Sequence, residues 1–177
     1  MYERPRTGDV DEDEEEGRVK VMAYWTLYID ILFISLDGNA FDAAWGAVLA
    51  ALQDVRLPKA WWDADREMVL CSDVASEAKR LNLRGLPIAS SFAVFKNAAG
   101  DGDSGKEEAW VLADPDGFEE DLCDEVVTVV VEGGGVRKGK IVKIEKSGGG
   151  VVGSELIKDV VGRAEERWRE WKNVVRP

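Results

Sequence analysis

The first apolar run of the chain alternates. Between Trp25 and Ile34, the residues Trp25, Leu27, Ile29, Ile31 and Phe33 share one face, and the other carries Thr26, Tyr28 and Asp30 before turning apolar at Leu32 and Ile34. A period of two in β-branched and aromatic residues predicts a strand, and its apolar finish predicts entry into a core buried on both faces. Asp37-Gly38-Asn39 ends the run, with Gly38 relieving the turn and Asp37 or Asn39 in place to cap a helix. That helix is predicted from about Ala40 to Gln53, where Ala43, Ala44, Gly46, Ala47, Ala50 and Ala51 put small side chains on nearly every side. Small residues all round predict close approach by several neighbours, hence a central buried helix.

Downstream, Glu67–Cys71 reads as a short strand after Ala60-Trp61-Trp62-Asp63. Ile88–Phe95 and Ala109–Ala113 read as strands, joined by a flexible Gly- and Asp-rich insertion at 97–105. Asp114-Pro115-Asp116-Gly117 is a turn, and a short acidic segment leads into the continuous apolar strand Val126–Val131. Gly133-Gly134-Gly135 turns that strand into a partner at Lys140–Glu145. After the Ser147–Gly150 loop, Ser154 is in place to cap a helix whose Ile157, Val161, Ala164, Trp168, Trp171 and Val175 recur at spacings of three and four. Strand, helix, several strands and helix predict an α+β half-sandwich, one domain over residues 18–177 without internal repeats.

Composition narrows the chemistry. In 177 residues, 45% are hydrophobic and 33% charged, a soluble globular balance. The net charge of −12 argues against bulk electrostatic attraction to nucleic acid, so any RNA contact must be local or shared with partners. Much of that charge is the block Asp9–Glu16, within an acidic segment 1–17 expected to be disordered. There is no histidine, and Cys71 and Cys123 lack metal-ligand spacing, which removes histidine catalysis and most zinc sites; no metal or cofactor is expected. No secretory signal is visible, so reduced thiols in a cell interior are expected. The apolar runs are too short to span a bilayer, and no membrane partner is expected.

Three places present candidate chemistry. The turn at Asp37–Asn39 is either a phosphate cradle at a helix N-terminus or a cap, and Asp37 and Asp42 repel an anion there. The acidic cluster Asp114, Asp116, Glu119, Glu120, Asp121, Asp124 and Glu125 is either a Mg2+ site with paired carboxylates or a solvated acidic face. The basic stretch Arg137–Lys146 is either a local RNA or partner contact or an edge strand guarded by lysine. On a regular strand Arg137 and Lys143 share a face with Ile141 and Glu145, while Lys138, Lys140 and Lys146 share the other.

Trp25-Thr-Leu-Tyr-Ile-Asp-Ile31, Asp37-Gly-Asn39 and Phe41-Asp-Ala-Ala44 resemble the RNase PH-like subunits of the eukaryotic RNA exosome ring. Leu86-Pro-Ile-Ala-Ser-Ser-Phe92, Leu112-Ala-Asp-Pro115, Glu119-Glu120 and Lys146-Ser-Gly-Gly149 follow in the same order, so the resemblance covers roughly residues 18–176. It implies an RNase PH-like fold, related to the second domain of ribosomal protein S5. It also implies a ring of such subunits around an RNA channel, with S1 and KH cap subunits and RNA as partners. Phosphorolytic members carry an arginine after the glycine of the first turn and aspartates in a Leu-Asp-Leu context. Here those positions read Gly38-Asn39-Ala40 and Ala113-Asp114-Pro115. The resemblance therefore implies no catalytic residue, and a non-catalytic structural subunit supporting 3'-5' RNA processing and degradation, including rRNA maturation, in nucleus, nucleolus and cytoplasm. The alternative is a phosphate-dependent 3'-5' exoribonuclease, and Lys138, Lys140, Lys143 and Lys146 are the candidate RNA contacts. Family members carry a long stretch before the Trp25 strand, so the fold is expected to be incomplete on its N-terminal side, with a helix short of neighbours and poor stability alone.

Overall fold

The computed structural model describes residues 21–96, 109–133, 139–149 and 152–175. The acidic segment 1–17 and the insertion 97–105 lie outside them. Helix α1 (Ala40–Asp54) is followed by the short strands β1 (Arg56–Leu57), β2 (Ala60–Asp63), β3 (Met68–Cys71) and β4 (Lys79–Arg80). Then come β5 (Pro87–Lys96), β6 (Ala109–Ala113), α2 (Gly117–Leu122), β7 (Glu125–Glu132), β8 (Lys140–Gly148) and α3 (Ser154–Val175). The result is α+β, as the pattern predicts.

The main sheet is antiparallel, ordered β6-β5-β7-β8. β5 lies inside it, and Ile88 to Val94 are buried on both faces, which explains its unbroken run of small and apolar residues. One face collects Ile88, Phe92 and Val94 with Val127, Val129 and Val131, and α3 closes over them with Val160, Ala164 and Trp168. β2 and β3 form a separate hairpin, in which Trp61 pairs with Leu70 and Trp62 with Val69.

The amphipathic prediction for α3 is met, with Val160, Ala164 and Trp168 buried and Ile157, Val161 and Trp171 partly buried beside them. Trp168 also donates its indole N–H to the Leu86 carbonyl at 2.9 Å. Ser154 is not the cap: it is the first helical residue, and the Gly153 carbonyl accepts the opening bond from Ile157 N–H at 3.2 Å.

Two further expectations are corrected. The segment Trp25–Ile34 forms no strand, and its large apolar residues are all exposed. Alternation confers a strand's two faces, but a strand exists only against a partner's backbone, and no described residue supplies one. Helix α1 is likewise not buried all round. Only Asp42, Gly46 and Leu49 are buried, a single stripe at spacings of four and three. That stripe explains one small residue: a Cβ on Gly46 would stand 2.6 Å from the Trp171 ring of α3, so the two helices meet through this glycine.

Candidate functional site

Gly38 and Asn39 both adopt left-handed backbone, with φ of 79° and 42°. At Gly38 this is combined with a close approach, since a Cβ would lie 2.4 Å from the Asp116 carbonyl carbon. The turn is therefore pressed against the start of α2. Asn39 holds the N-cap position of α1, but its side chain makes no capping bond. Its Nδ2 instead donates to Asp42 Oδ2 at 3.1 Å and Asp114 Oδ1 at 2.6 Å, and its backbone N–H donates to Glu120 Oε1 at 2.8 Å. The side-chain amide thus joins Asp42 of α1 to Asp114 at the end of β6, while the backbone N–H meets Glu120 of α2.

Asp42, one turn in, is the buried centre of this junction. β6 pairs with β5 only from Phe92 onward, and at Ser91 the open edge is taken by the Asp42 carboxylate. It accepts the Ser91 N–H at 2.8 Å and the Ser91 hydroxyl at 2.9 Å, and that hydroxyl lies 2.9 Å from Thr128 Oγ1 on β7. Arg167 of α3 completes the set with Nη1 at 3.2 Å from Asp42 Oδ2 and its guanidinium 5.5 Å from the Trp171 ring centroid. One carboxylate thus ties α1, β5 and α3 together, and the arginine neutralises a charge that burial alone makes costly.

The acidic cluster is divided among structural tasks. Asp116 and Glu119 form a reciprocal capping box on α2, Glu120 holds the turn and Asp124 accepts the Lys96 N–H at 3.1 Å. Among the described residues no group of acids is placed to hold a metal ion. Cys123, beside them, has its thiol pushed up by burial and then by the Glu120 charge, which disfavours a reactive thiolate. It and Cys71 are free thiols.

Glu125 is the exception, a buried carboxylate between Lys96 at 2.6 Å and Lys146 at 3.0 Å. Burial pushes its pKa up, but hydrogen bonds and charge from Lys96 and Lys146 together outweigh this and hold it below the ordinary 4.5. A carboxyl more acidic when folded adds stability above its unfolded pKa and loses it as pH falls through the folded one. Thermal melts from pH 7 down to pH 3 are thus expected to show stability falling below about 4.5, with Glu125→Gln flattening that limb; equal acid slopes would contradict the pairing.

The lysine strand is regrouped by a bulge. The register runs Val131↔Ile141 and then Val130↔Lys143, leaving Val142 as the extra residue. Residues opposite each other share a face, so Lys140 and Lys143 lie together with Glu145, and Lys146 joins Ile141 and Ile144 on the other. This overturns the grouping that regular alternation predicts. Lys140 is exposed, Lys143 pairs with Glu145, Lys146 pairs with Glu125, and Lys138 lies outside the described residues.

Sequence reasoning passed over Arg167, Ser91, Thr128 and Lys96. For Arg167 a signal exists: it sits three residues after Ala164 and four before Trp171, a charge set within the apolar stripe. Ser91 and Thr128 carry no local mark.

Comparison with known proteins adds sequence and fold. The family described as 3' exoribonuclease family, domain 1 (RNase_PH) matches residues 16–58. The exosome complex component rrp43 of Schizosaccharomyces pombe is 35% identical over 146 residues, which cover 82% of this chain and 47% of that protein. The exosome complex component Rrp42 of Aeropyrum pernix is 27% identical over 139 residues, 78% of this chain and 44% of that protein. An archaeal exosome core aligns with a TM-score of 0.54 at 22% identity, covering 81% of this chain and 47% of that one. The Archaeoglobus fulgidus exosome with RNA bound to the active site aligns at 0.52 and 23%, covering 78% and 44%. The chain thus spans about half the length of the curated relatives it matches.

Proposed function

This chain belongs to the RNase PH-like family of exosome components, and from that premise we propose that it is a non-catalytic structural subunit of an exosome core ring. In this role it supports 3'-5' RNA processing and degradation, rRNA maturation included, in the nucleus, nucleolus and cytoplasm. Its partners are other RNase PH-like subunits, S1 and KH cap subunits, and RNA. The observation that carries the reading is the state of the turn. A helix N-terminus attracts phosphate through free N–H groups and nearby cations. Here the Asn39 N–H already meets Glu120, and the arginine at the junction, Arg167, is paired with Asp42. An incoming phosphate would face Asp37, Asp42, Asp114 and Glu120 without an unpaired cation among the described residues of the turn.

The test is incubation of the chain, alone and reconstituted with RNase PH-like ring subunits, with RNA and inorganic phosphate. The expected outcome is ring incorporation and no nucleoside diphosphate attributable to this chain. Release abolished by Asp114→Asn or Asp116→Asn would establish the phosphate-dependent exoribonuclease instead.

RNA contact is assigned to Lys140 and Lys143, which share a face, with Lys138 by sequence, whereas Lys146 lies on the other face and is held by Glu125. Reversing Lys140 and Lys143 to Glu is expected to weaken RNA binding about tenfold at low salt and to reduce the salt slope by about one for each phosphate no longer neutralised. An unchanged slope in filter binding across a salt series removes the assignment.

A further inference from the structure

We propose that the turn before α1 and the turn before α2 form one conformational latch, closed by the bond between Asn39 and Asp114, and that the two turns open together while the sheet stays folded. Among the described residues, Asn39, Glu67 and Asp114 are the non-glycine residues with left-handed backbone, at φ of 42°, 50° and 56°. Glu67 lies in the turn between β2 and β3, where such backbone is common. Asn39 and Asp114 are 75 residues apart in sequence, yet the Asn39 Nδ2 donates to Asp114 Oδ1 at 2.6 Å. Asp114 is further out of its ordinary range because it precedes Pro115, and a residue before proline is pushed toward extended backbone. Left-handed backbone outside glycine is unfavourable and persists only where the surroundings hold it. Here each strained residue is held by the other.

Further contacts run between the same two turns in both directions. Glu120 accepts the Asn39 N–H at 2.8 Å, and Asp37 accepts the Gly117 N–H at 3.4 Å. Gly38 lies so close to the second turn that a Cβ would stand 2.5 Å from the Pro115 carbonyl oxygen. Each turn gives the other both a donor and an acceptor, so neither moves while the other stays. The seat is internal, because Asn39 and Pro115 are buried by the described residues themselves. Opening has a defined consequence at α1. It withdraws Glu120 from the Asn39 N–H and the Asn39 amide from Asp42, which then keeps only Ser91 and Arg167. The latch therefore sets whether the start of α1 is closed by carboxylates or carries free donors. This coupling is separate from the ring role, and its failure leaves that role standing.

The experiment is amide hydrogen exchange by NMR on the full chain, in a series of low urea concentrations. In wild type the Asn39 and Gly117 amides are expected to exchange through one opening, with the same urea dependence and less protection than Val129 of β7. Asn39→Gly keeps the freedom to hold left-handed backbone and removes only the side-chain bond. It is expected to lower Gly117 protection about tenfold and to return Asp114 to extended backbone, read from its three-bond HN–Hα coupling. Asp114→Ala is expected to lower Asn39 and Gly117 protection by the same factor, whereas Asp114→Asn, which retains Oδ1, stays within about twofold of wild type. The Arg66 amide of the β2–β3 turn, bonded to Asp63 Oδ1, is expected to change in none of them. Unequal urea dependence of Asn39 and Gly117 in wild type overturns the proposal, as does Gly117 protection unchanged in Asn39→Gly or Asn39 protection unchanged in Asp114→Ala. If a variant misfolds, the wild-type urea series decides alone.

Discussion

Arg167→Ala is expected to lower folding stability by about 3 kcal/mol, read as a shift of the urea midpoint at constant slope. The reason is the charge left behind. Asp42 is buried at the junction of α1, β5 and α3, and its bonds from Ser91 and Asn39 do not replace a guanidinium. Breaking a buried pair from one side strands the other charge, which costs more than the pair contributes relative to apolar residues. The effect belongs at the low end of the range because Arg167 retains 21% exposure and water reaches it. The double change Arg167→Met with Asp42→Asn is expected to recover part of the loss, since no charge is then stranded. A midpoint within experimental error of wild type for Arg167→Ala would falsify the role given to this pair. Arg167→Lys separates charge from geometry: it keeps the charge but loses the planar contact with Trp171, so partial loss is expected.

Trp168→Ala is expected to cost about 4 kcal/mol, the largest effect of any single core truncation proposed for this chain. Trp168 is buried where α3 covers β5 and β7, so truncation removes packing from the core cluster that also holds Leu86, Val131 and Ala164 and leaves a void there. Its indole N–H also satisfies the Leu86 carbonyl, which truncation leaves without that donor. Trp168→Phe tests the division between these terms. It keeps most of the volume and loses the bond, so a cost of about 1–2 kcal/mol is expected. Equal losses for Phe and Ala would mean that packing is not the dominant part. Both variants are read in the same urea series as Arg167→Ala, and the sites adjoin, so their effects are not expected to add.

Much of the architecture is visible in the pattern of residues. The three-and-four spacing of α3, the apolar runs of β5 and β7, and the punctuation by Asp114–Gly117 reproduce the observed elements closely. The small-residue helix was legible as a helix but not in its surroundings. Alanine on every side permits neighbours without supplying them, and the described neighbours are met along the Gly46 stripe and at Trp45, whose indole N–H donates to the Pro87 carbonyl. The acidic cluster was legible as charge, whereas its division into a capping box, a turn clamp and the Glu125 pair depends on positions that sequence neighbours do not reveal. Lys96 lies 29 residues from the carboxylate it meets, and Ser91 lies 49 residues from Asp42. The bulge at Val142 was hidden for a related reason. Alternation assigns faces only while the ladder stays regular, and one inserted residue exchanges them.

The sequence by itself determined which segments have the periodicity of helix and strand, that the turn at Gly38 lacks an arginine, and that histidine chemistry is absent. Those properties are local: they follow from residue type and spacing. The tertiary structure decided which charges are neutralised, which N–H groups already have acceptors, and which apolar faces remain open. Each of these depends on what stands opposite a group in space. Tyr24–Ile34 carries every local mark of a core strand and is exposed, because burial belongs to a pair of surfaces and the sequence specifies only one of them at a time.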